Sequence, residues 1–165
     1  MIKYAVRPCE WGQLLVASRE RGMCAVALGD NTEALVADLQ RRFAATGEPL
    51  RVAELSPLVA PLLEFIEQPC VAITAPLAVS GTEFQRRVWR ALQDIPPGQT
   101  VTYQALAERI GAPRAVRAVA NACGANPIAL AIPCHRVVRS DGRVSGYRWG
   151  AWRKQALLKR EAAYC

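Results

Sequence analysis

The sequence predicts an α+β protein: a small α/β lobe built on an antiparallel sheet, then a mainly helical lobe carrying a winged helix-turn-helix. Three observations point there. The first thirty residues show strand patterning around a tight turn, the second half shows a succession of helix starts and stops, and the charge changes sign between the halves. Residues 1–79 hold seven Lys and Arg against nine Asp and Glu, whereas residues 80–165 hold fourteen against five, twelve of the fourteen being arginine. The boundary is placed near Ser80, giving lobes 1–79 and 80–165.

Gln13 to Ala17 and Met23 to Leu28 flank Arg21-Gly22 as in a hairpin. A helix follows Asn31-Thr32, with Leu35, Val36, Leu39 and Phe43 on one face. Another runs from about Pro57 to Glu67, with Leu58, Leu62 and Ile66 one turn apart. Pro69 and Pro76 make residues 71–79 an extended connector. Thr82 and Gln85 form a capping box, Phe84, Val88 and Leu92 an apolar stripe, and Pro96-Pro97-Gly98 a stop. The next helix spans Thr102 to Ile110 and is closed by Gly111. Pro113 suits the first turn of its successor, which runs to Cys123 and stops at Gly124. Two short helices joined by about two residues fit a helix-turn-helix. Beyond them Val137-Val138 and Val144 flank Ser140 to Arg143, where Asp-Gly signals a hairpin, the wing. The last helix runs from about Ala151 to Ala163, with Leu157 and Leu158 facing inward and Lys159 and Arg160 outward.

Composition narrows the function. The chain is 52% hydrophobic over 165 residues, enough for a core. No apolar run reaches membrane-spanning length and the N-terminus lacks a signal-peptide pattern, so a cytoplasmic protein with no membrane partner is expected. Cys9, Cys24, Cys70, Cys123, Cys134 and Cys165 are scattered without CxxC spacing, and His135 is the only histidine. Free thiols are therefore expected, with neither a zinc site nor a disulfide framework. A net charge of +7 concentrated in one lobe is the footprint of a nucleic-acid surface.

Two features carry chemistry. Cys134 sits beside His135 after the apolar run Ile128 to Ile132, where a nucleophilic thiol and a buried structural one are both open readings. On the helix ending at Cys123, Val116, Val119, Ala120 and Cys123 cluster on one side, opposite Arg114, Arg117, Ala118, Asn121 and Ala122. Arginines among alanines suit close approach to a groove, where an ordinary exposed face shows Glu and Lys. Glu161 falls between Leu157 and Leu158 in angle, and a carboxylate on an apolar stripe calls for a partner, for which His135 is available.

These residues together resemble the O6-alkylguanine-DNA alkyltransferase family. The motifs are Gly81-Thr82-Glu83-Phe84-Gln85 with Val88-Trp89, Ile95-Pro96, Thr102 to Ala107, Arg117-Ala118-Val119, Asn126-Pro127, Pro133 to Val137, Gly146-Tyr147 and Leu157-Leu158. They occur in order over about residues 80–165, and Gly146 to Gly150 has the form of the C-terminal half of Ada-type proteins. The resemblance implies a ribonuclease-H-like first lobe and stoichiometric DNA repair by direct reversal, one alkyl transfer per molecule to Cys134. It implies His135 as base acting through water, Glu161 as its orienting partner and Asn126 as organiser of the turn before the nucleophile. Tyr103, Val137, Tyr147, Arg148 and Trp149 would bind the flipped base. Arg117, with Arg114, Ala118, Asn121 and Ala122, would contact the minor groove of double-stranded alkylated DNA. No cofactor or metal and a monomeric state are expected. Many members have Gly-Gly where this chain has Trp149-Gly150, which implies a narrower pocket and a preference for methyl over benzyl adducts. Alkylated guanine is the expected substrate, with O4-methylthymine second. The alternatives are a non-enzymatic damage sensor, disfavoured by the presence of Cys134, a fragment of an Ada-type regulator, and a cysteine hydrolase, which leaves the charge split unexplained.

Overall fold

The computed structural model describes residues 1–144 and 146–165. Strands β1 (Ile2–Cys9), β2 (Gly12–Arg19) and β3 (Gly22–Gly29) form an antiparallel meander. Leu14 to Ala17 and Met23 to Leu28 are buried at every position, so these strands read as continuous apolar runs rather than alternating ones. Helix α1 (Thr32–Phe43) starts at Asn31, whose side-chain oxygen accepts from the Ala34 N–H at 2.8 Å, and packs on β2 and β3. Strand β4 (Leu50–Val52) then lies beside β1, giving the order β3-β2-β1-β4. The expected antiparallel sheet is thus mixed at one edge: β4 is parallel to β1 because α1 carries the chain back before it pairs. Helix α2 (Ser56–Glu67) packs on β1 and buries Val59, Leu62, Phe65 and Ile66.

The free edge of β3 is closed by two later segments. The Met23 N–H donates to the Pro76 carbonyl at 2.9 Å and the Ala78 N–H to the Met23 carbonyl at 2.7 Å, so the extended connector is stitched to the sheet. Farther along, the Val26 N–H donates to the Pro127 carbonyl at 3.1 Å and the Ala129 N–H to the Val26 carbonyl at 3.0 Å. Pairing removes an exposed edge and anchors the run that leads into Cys134.

Helix α3 (Glu83–Gln93) has the expected capping box, with the Gln85 N–H donating to Thr82 Oγ1 at 3.1 Å and the Thr82 N–H to Gln85 Oε1 at 3.0 Å. Its Trp89 is buried and donates from the indole to the Ala122 carbonyl at 2.8 Å. Gly81 is needed beneath that ring, because a Cβ there would lie 2.6 Å from it. Strand β5 (Val101–Thr102) leads into α4 (Tyr103–Arg109), capped by Thr102, and α5 (Val116–Gly124) follows; α3 packs on both helices. The α+β class stands, with three local corrections. Helix α5 begins at Val116 rather than Pro113, because the Ala115 N–H closes a turn onto the Ala112 carbonyl at 2.9 Å; the connection from α4 is residues 110–115, not two residues. Val137-Val138 forms strand β6, but it pairs in parallel with β5 instead of folding onto Val144. Asp141-Gly142 makes the expected turn, with the Gly142 N–H on the Arg139 carbonyl at 2.8 Å and the Arg139 N–H on the Arg143 carbonyl at 3.2 Å, but among the described residues no strand extends this closure into a wing.

Helix α6 (Ala151–Tyr164) closes the chain. Its inner face is Arg153, Lys154, Leu157 and Glu161, with Leu158 only half-buried. Arg160 does not point outward: it donates to Glu10 and to the Ile66 carbonyl at 2.7 Å. The expectation of free thiols fails at two positions, since Cys70 and Cys165 form a disulfide with Cα atoms 5.5 Å apart. They are 95 residues apart in sequence and meet only because the ends of α2 and α6 converge. Cys9, Cys24, Cys123 and Cys134 are free.

Candidate active site

The site is built on the stretch between α5 and α6. Asn126, fully buried two residues past the end of α5, folds that stretch with three bonds. Its carbonyl oxygen Oδ1 accepts from the Ile128 N–H at 2.9 Å, and its amide donates to the Ile132 carbonyl at 2.8 Å and to Cys134 Sγ at 3.2 Å. Leu130, buried between them, takes a φ of 70°, a left-handed conformation that costs an ordinary residue about 1–2 kcal/mol. The Asn126 bonds and the pairing of Val26 hold the chain in it. Cys134 then opens a short 3-10 turn (Cys134–Arg136) that places thiol, imidazole and guanidinium side by side, all buried.

Burial governs the thiol. Its pKa is pushed up to about 11 by desolvation, against the Asn126 hydrogen bond and the positive charge of Lys154. At pH 7 the resting group is therefore a thiol, and ionising it costs about 5 kcal/mol. His135 is fully buried and its pKa is lowered, first by desolvation, with Glu161 opposing. Burial also disfavours the Glu161 carboxylate, but hydrogen bonds from His135 and Arg136 outweigh it and hold the carboxyl below its usual range. An ionised carboxylate only accepts, so His135 Nε2, 2.7 Å from Glu161 Oε1, must carry the proton. Nδ1 is left as the unprotonated nitrogen, buried and without a hydrogen-bond partner among the described residues. The arrangement can therefore take a proton at Nδ1 while Glu161 stabilises the imidazolium.

The structure bonds Asn126 to Cys134 and His135 to Glu161, and it adds two neighbours that sequence reasoning missed. Arg136 donates three bonds to Glu161, at 2.9–3.2 Å, and one to the Ile95 carbonyl at 2.7 Å, so Glu161 is held by a guanidinium cation as well as by the neutral imidazole. Lys154, fully buried on α6, has its Nζ 5.8 Å from the Tyr103 ring and 3.5 Å from the Gly146 carbonyl. Its charge favours the thiolate of Cys134, while burial lowers its own pKa. The signal for Lys154 was available: it lies seven residues before Glu161 and three before Leu157, on the same helix face.

Of the base-binding candidates, Tyr103, Tyr147 and Arg148 lie close enough to Cys134 to interact with its charge. Tyr103 opens α4, and its phenol is pushed up to about 12 by burial and then by Cys123 and Cys134. Val137 is fully buried directly after the 3-10 turn. Tyr147 and Trp149 meet edge to face with centroids 5.2 Å apart, and the Tyr147 hydroxyl is buried without a partner among the described residues. Arg148 donates to the Asn126 carbonyl at 3.2 Å. On α5, Arg117, Ala118 and Asn121 are exposed on one face, and Arg114 is exposed in the turn before the helix. Ala122 does not belong to that face. It is 2% exposed, because it lies at the edge of the arc where Trp89 of α3 closes over it.

The family model described as "6-O-methylguanine DNA methyltransferase, DNA binding domain" matches residues 83–163. The chain is 50% identical over 161 residues, 98% of its length, to the Escherichia coli "Bifunctional transcriptional activator/DNA repair enzyme Ada", of which that covers 46%. It is 58% identical over 85 residues to a Mycolicibacterium paratuberculosis methylated-DNA–protein-cysteine methyltransferase, 52% of each chain. The chain thus spans about half the length of the curated relatives it matches. Among solved structures, the Mycobacterium tuberculosis O6-methylguanine methyltransferase superposes with a TM-score of 0.82 at 30% identity, covering 100% of this chain and 95% of that one. A second structure of the Mycobacterium tuberculosis protein, in complex with DNA, gives 0.81 at 32%, covering 99% and 93%. With the fold agreeing over its whole length and the family model matching residues 83–163, the chain belongs to the O6-methylguanine-DNA methyltransferase family.

Proposed function

We propose that the chain repairs duplex DNA by moving the methyl group of O6-methylguanine onto Cys134 Sγ, once per molecule. The observation that carries this is a buried thiol bonded to Asn126, next to an imidazole whose free nitrogen is unprotonated and whose other nitrogen is locked to Glu161. In the step, the Sγ–C bond forms as the O6–C bond breaks. The thiol proton passes to His135 Nδ1 through a bridging water, and the guanine leaves as an anion that takes a proton back. The Tyr103 hydroxyl donates to the departing base. The acceptor is a protein side chain, so the balance calls for no cofactor, and a thioether has no route back.

Cys134 is 5% exposed and a paired guanine keeps its O6 inside the duplex, so the base must flip out. Arg117, Ala118 and Asn121 form the groove-facing surface of α5, with Arg114 beside it and Arg117 filling the vacated stack. Val137, Tyr147, Arg148 and Trp149 line the pocket, and Trp149 narrows it against bulky adducts. O4-methylthymine is a second substrate. The chain divides near Ser80, and it works as a cytoplasmic monomer. After incubation with a duplex carrying O6-methylguanine, mass analysis of the Cys134 peptide should show one added methyl; an unmodified Cys134 with repaired DNA would refute the reading.

A further inference from the structure

Trp149 lies on a turn, between α6 and the described end of the Arg139–Val144 segment, and a pocket wall on a loop keeps its shape only if something holds it. Two arginines on either side of it do so. Arg153, 4% exposed in the first turn of α6, donates from Nη1 to the Trp149 carbonyl at 2.8 Å. From Nε it donates to the Trp11 carbonyl at 3.0 Å, and from Nη2 to Asp30 Oδ1 at 2.7 Å. One guanidinium thus joins the pocket wall to the β1–β2 turn and to the junction of β3 with α1. The sheet is shaped to receive it. Gly12, at φ 111°, would with a Cβ come within 3.1 Å of Arg153 Nη2 and 2.4 Å of the Gly29 carbonyl oxygen. On the other side, Arg148 reaches Asp38 of α1 at 3.7 Å and the carbonyl of Asn126, the residue bonded to the thiol, at 3.2 Å. This second arm is partly exposed and weaker.

We infer that Arg153, assisted by Arg148, is a positioning residue that bolts the Trp149 wall to the sheet and α1, and that this bolt sets the size of alkyl group Cys134 accepts. The inference rests on the alkyl-transfer reading and gives the first eighty residues a part in specificity. A nearly buried guanidinium bonding two carbonyls from different segments and one carboxylate is a costly way to fill space, since most of its charge must be desolvated. It fixes the wall in two dimensions, which an apolar residue of the same volume does not do.

The test measures inactivation of Cys134 by free O6-benzylguanine and methyl transfer from an O6-methylguanine duplex, taken as a ratio, in wild type, Arg153→Met, Arg153→Lys, Asp30→Asn and Trp149→Gly. Arg153→Met should raise the benzyl-to-methyl ratio about tenfold, Asp30→Asn about two- to threefold, and Arg153→Met combined with Trp149→Gly no more than Trp149→Gly alone, since both act on one wall. Hydrogen exchange at Gly150, whose N–H bonds to the Tyr147 carbonyl at 3.0 Å, should speed up in Arg153→Lys. A residue that only supports stability would lower the melting temperature and scale both rates together; an unchanged ratio in a folded variant overturns the inference. If Arg153→Met does not fold, Arg153→Lys and Asp30→Asn carry the same comparison. The exchange measurement separates the two readings: wild type inert toward methylated DNA refutes the alkyl-transfer function, whereas unchanged Gly150 exchange refutes the bolt whatever the activity.

Discussion

Glu161→Gln isolates the charge of the relay from its shape. The amide fits the same space between His135 and Arg136, but it can offer an N–H to His135 Nε2 where the carboxylate can only accept. The imidazole is then free to carry its proton on Nδ1, the nitrogen that has to receive one. The thiol pKa of about 11 leaves roughly one molecule in ten thousand ionised at pH 7, a penalty of about 5 kcal/mol that the relay offsets during the reaction. A positioned base contributes about 10²–10⁴ in rate, so Glu161→Gln should slow methyl transfer by about that factor at pH 7. Single-turnover quenching with labelled methylated duplex reads it. The variant should regain about tenfold per pH unit up to about pH 9, as hydroxide takes over ionisation of the thiol, whereas wild type stays level from about pH 7 upward. Removing one partner of a buried ion pair also costs about 3–5 kcal/mol of stability, so the comparison is made well below the variant's melting point. A loss under tenfold in folded protein, or a pH profile parallel to wild type, would refute the relay.

Other outcomes follow from the same geometry. Arg117→Ala should slow repair of duplex far more than reaction with the free alkylated base, and equal losses would remove it from base flipping. Binding to duplex should weaken as salt rises, and in Arg117→Ala the slope of log affinity against log salt should fall by about one. Cys70→Ser should cost about 2–4 kcal/mol in urea denaturation of oxidised protein and nothing once wild type is reduced; equal stability in the oxidised forms would show that the cross-link does not constrain the chain. Acid should destabilise the fold in two stages. The depressed imidazole pKa of His135 means the unfolded state binds that proton first, so stability falls as pH drops below about 6.5. The depressed carboxyl of Glu161 contributes stability above its ordinary 4.5 that is lost as pH falls through its folded value. A melting temperature constant from pH 7 to pH 5 would contradict the buried neutral imidazole.

What could be read from the sequence was what chemistry writes locally. The Thr82–Gln85 capping box and the helix start after Asn31-Thr32 are specified within a few residues, and the structure keeps both. Glu161 could be matched to His135 across 26 positions because a carboxylate on an apolar stripe needs a partner and only one histidine exists. Arg136 has no such signature, being one arginine among twelve in its half of the chain, and only the fold brings it to Glu161. Arg153 bonds residues up to 142 positions away, which no spacing reveals. The Asp141-Gly142 turn was legible because its residue types specify it locally, whereas the parallel pairing of Val137-Val138 with β5 joins segments 36 positions apart and has no local signature. The misplaced Ala122 marks where helical angle alone stops being informative, since Trp89 rather than position on the wheel decides its burial.

The central claim is a single irreversible transfer to one thiol. Duplex carrying tritiated O6-methylguanine in excess, incubated with the protein to completion, should leave label on the chain at close to one methyl per molecule, none on Cys134→Ala, and no further loss from the DNA. Continued turnover beyond one equivalent, or label persisting after Cys134→Ala, would contradict the account.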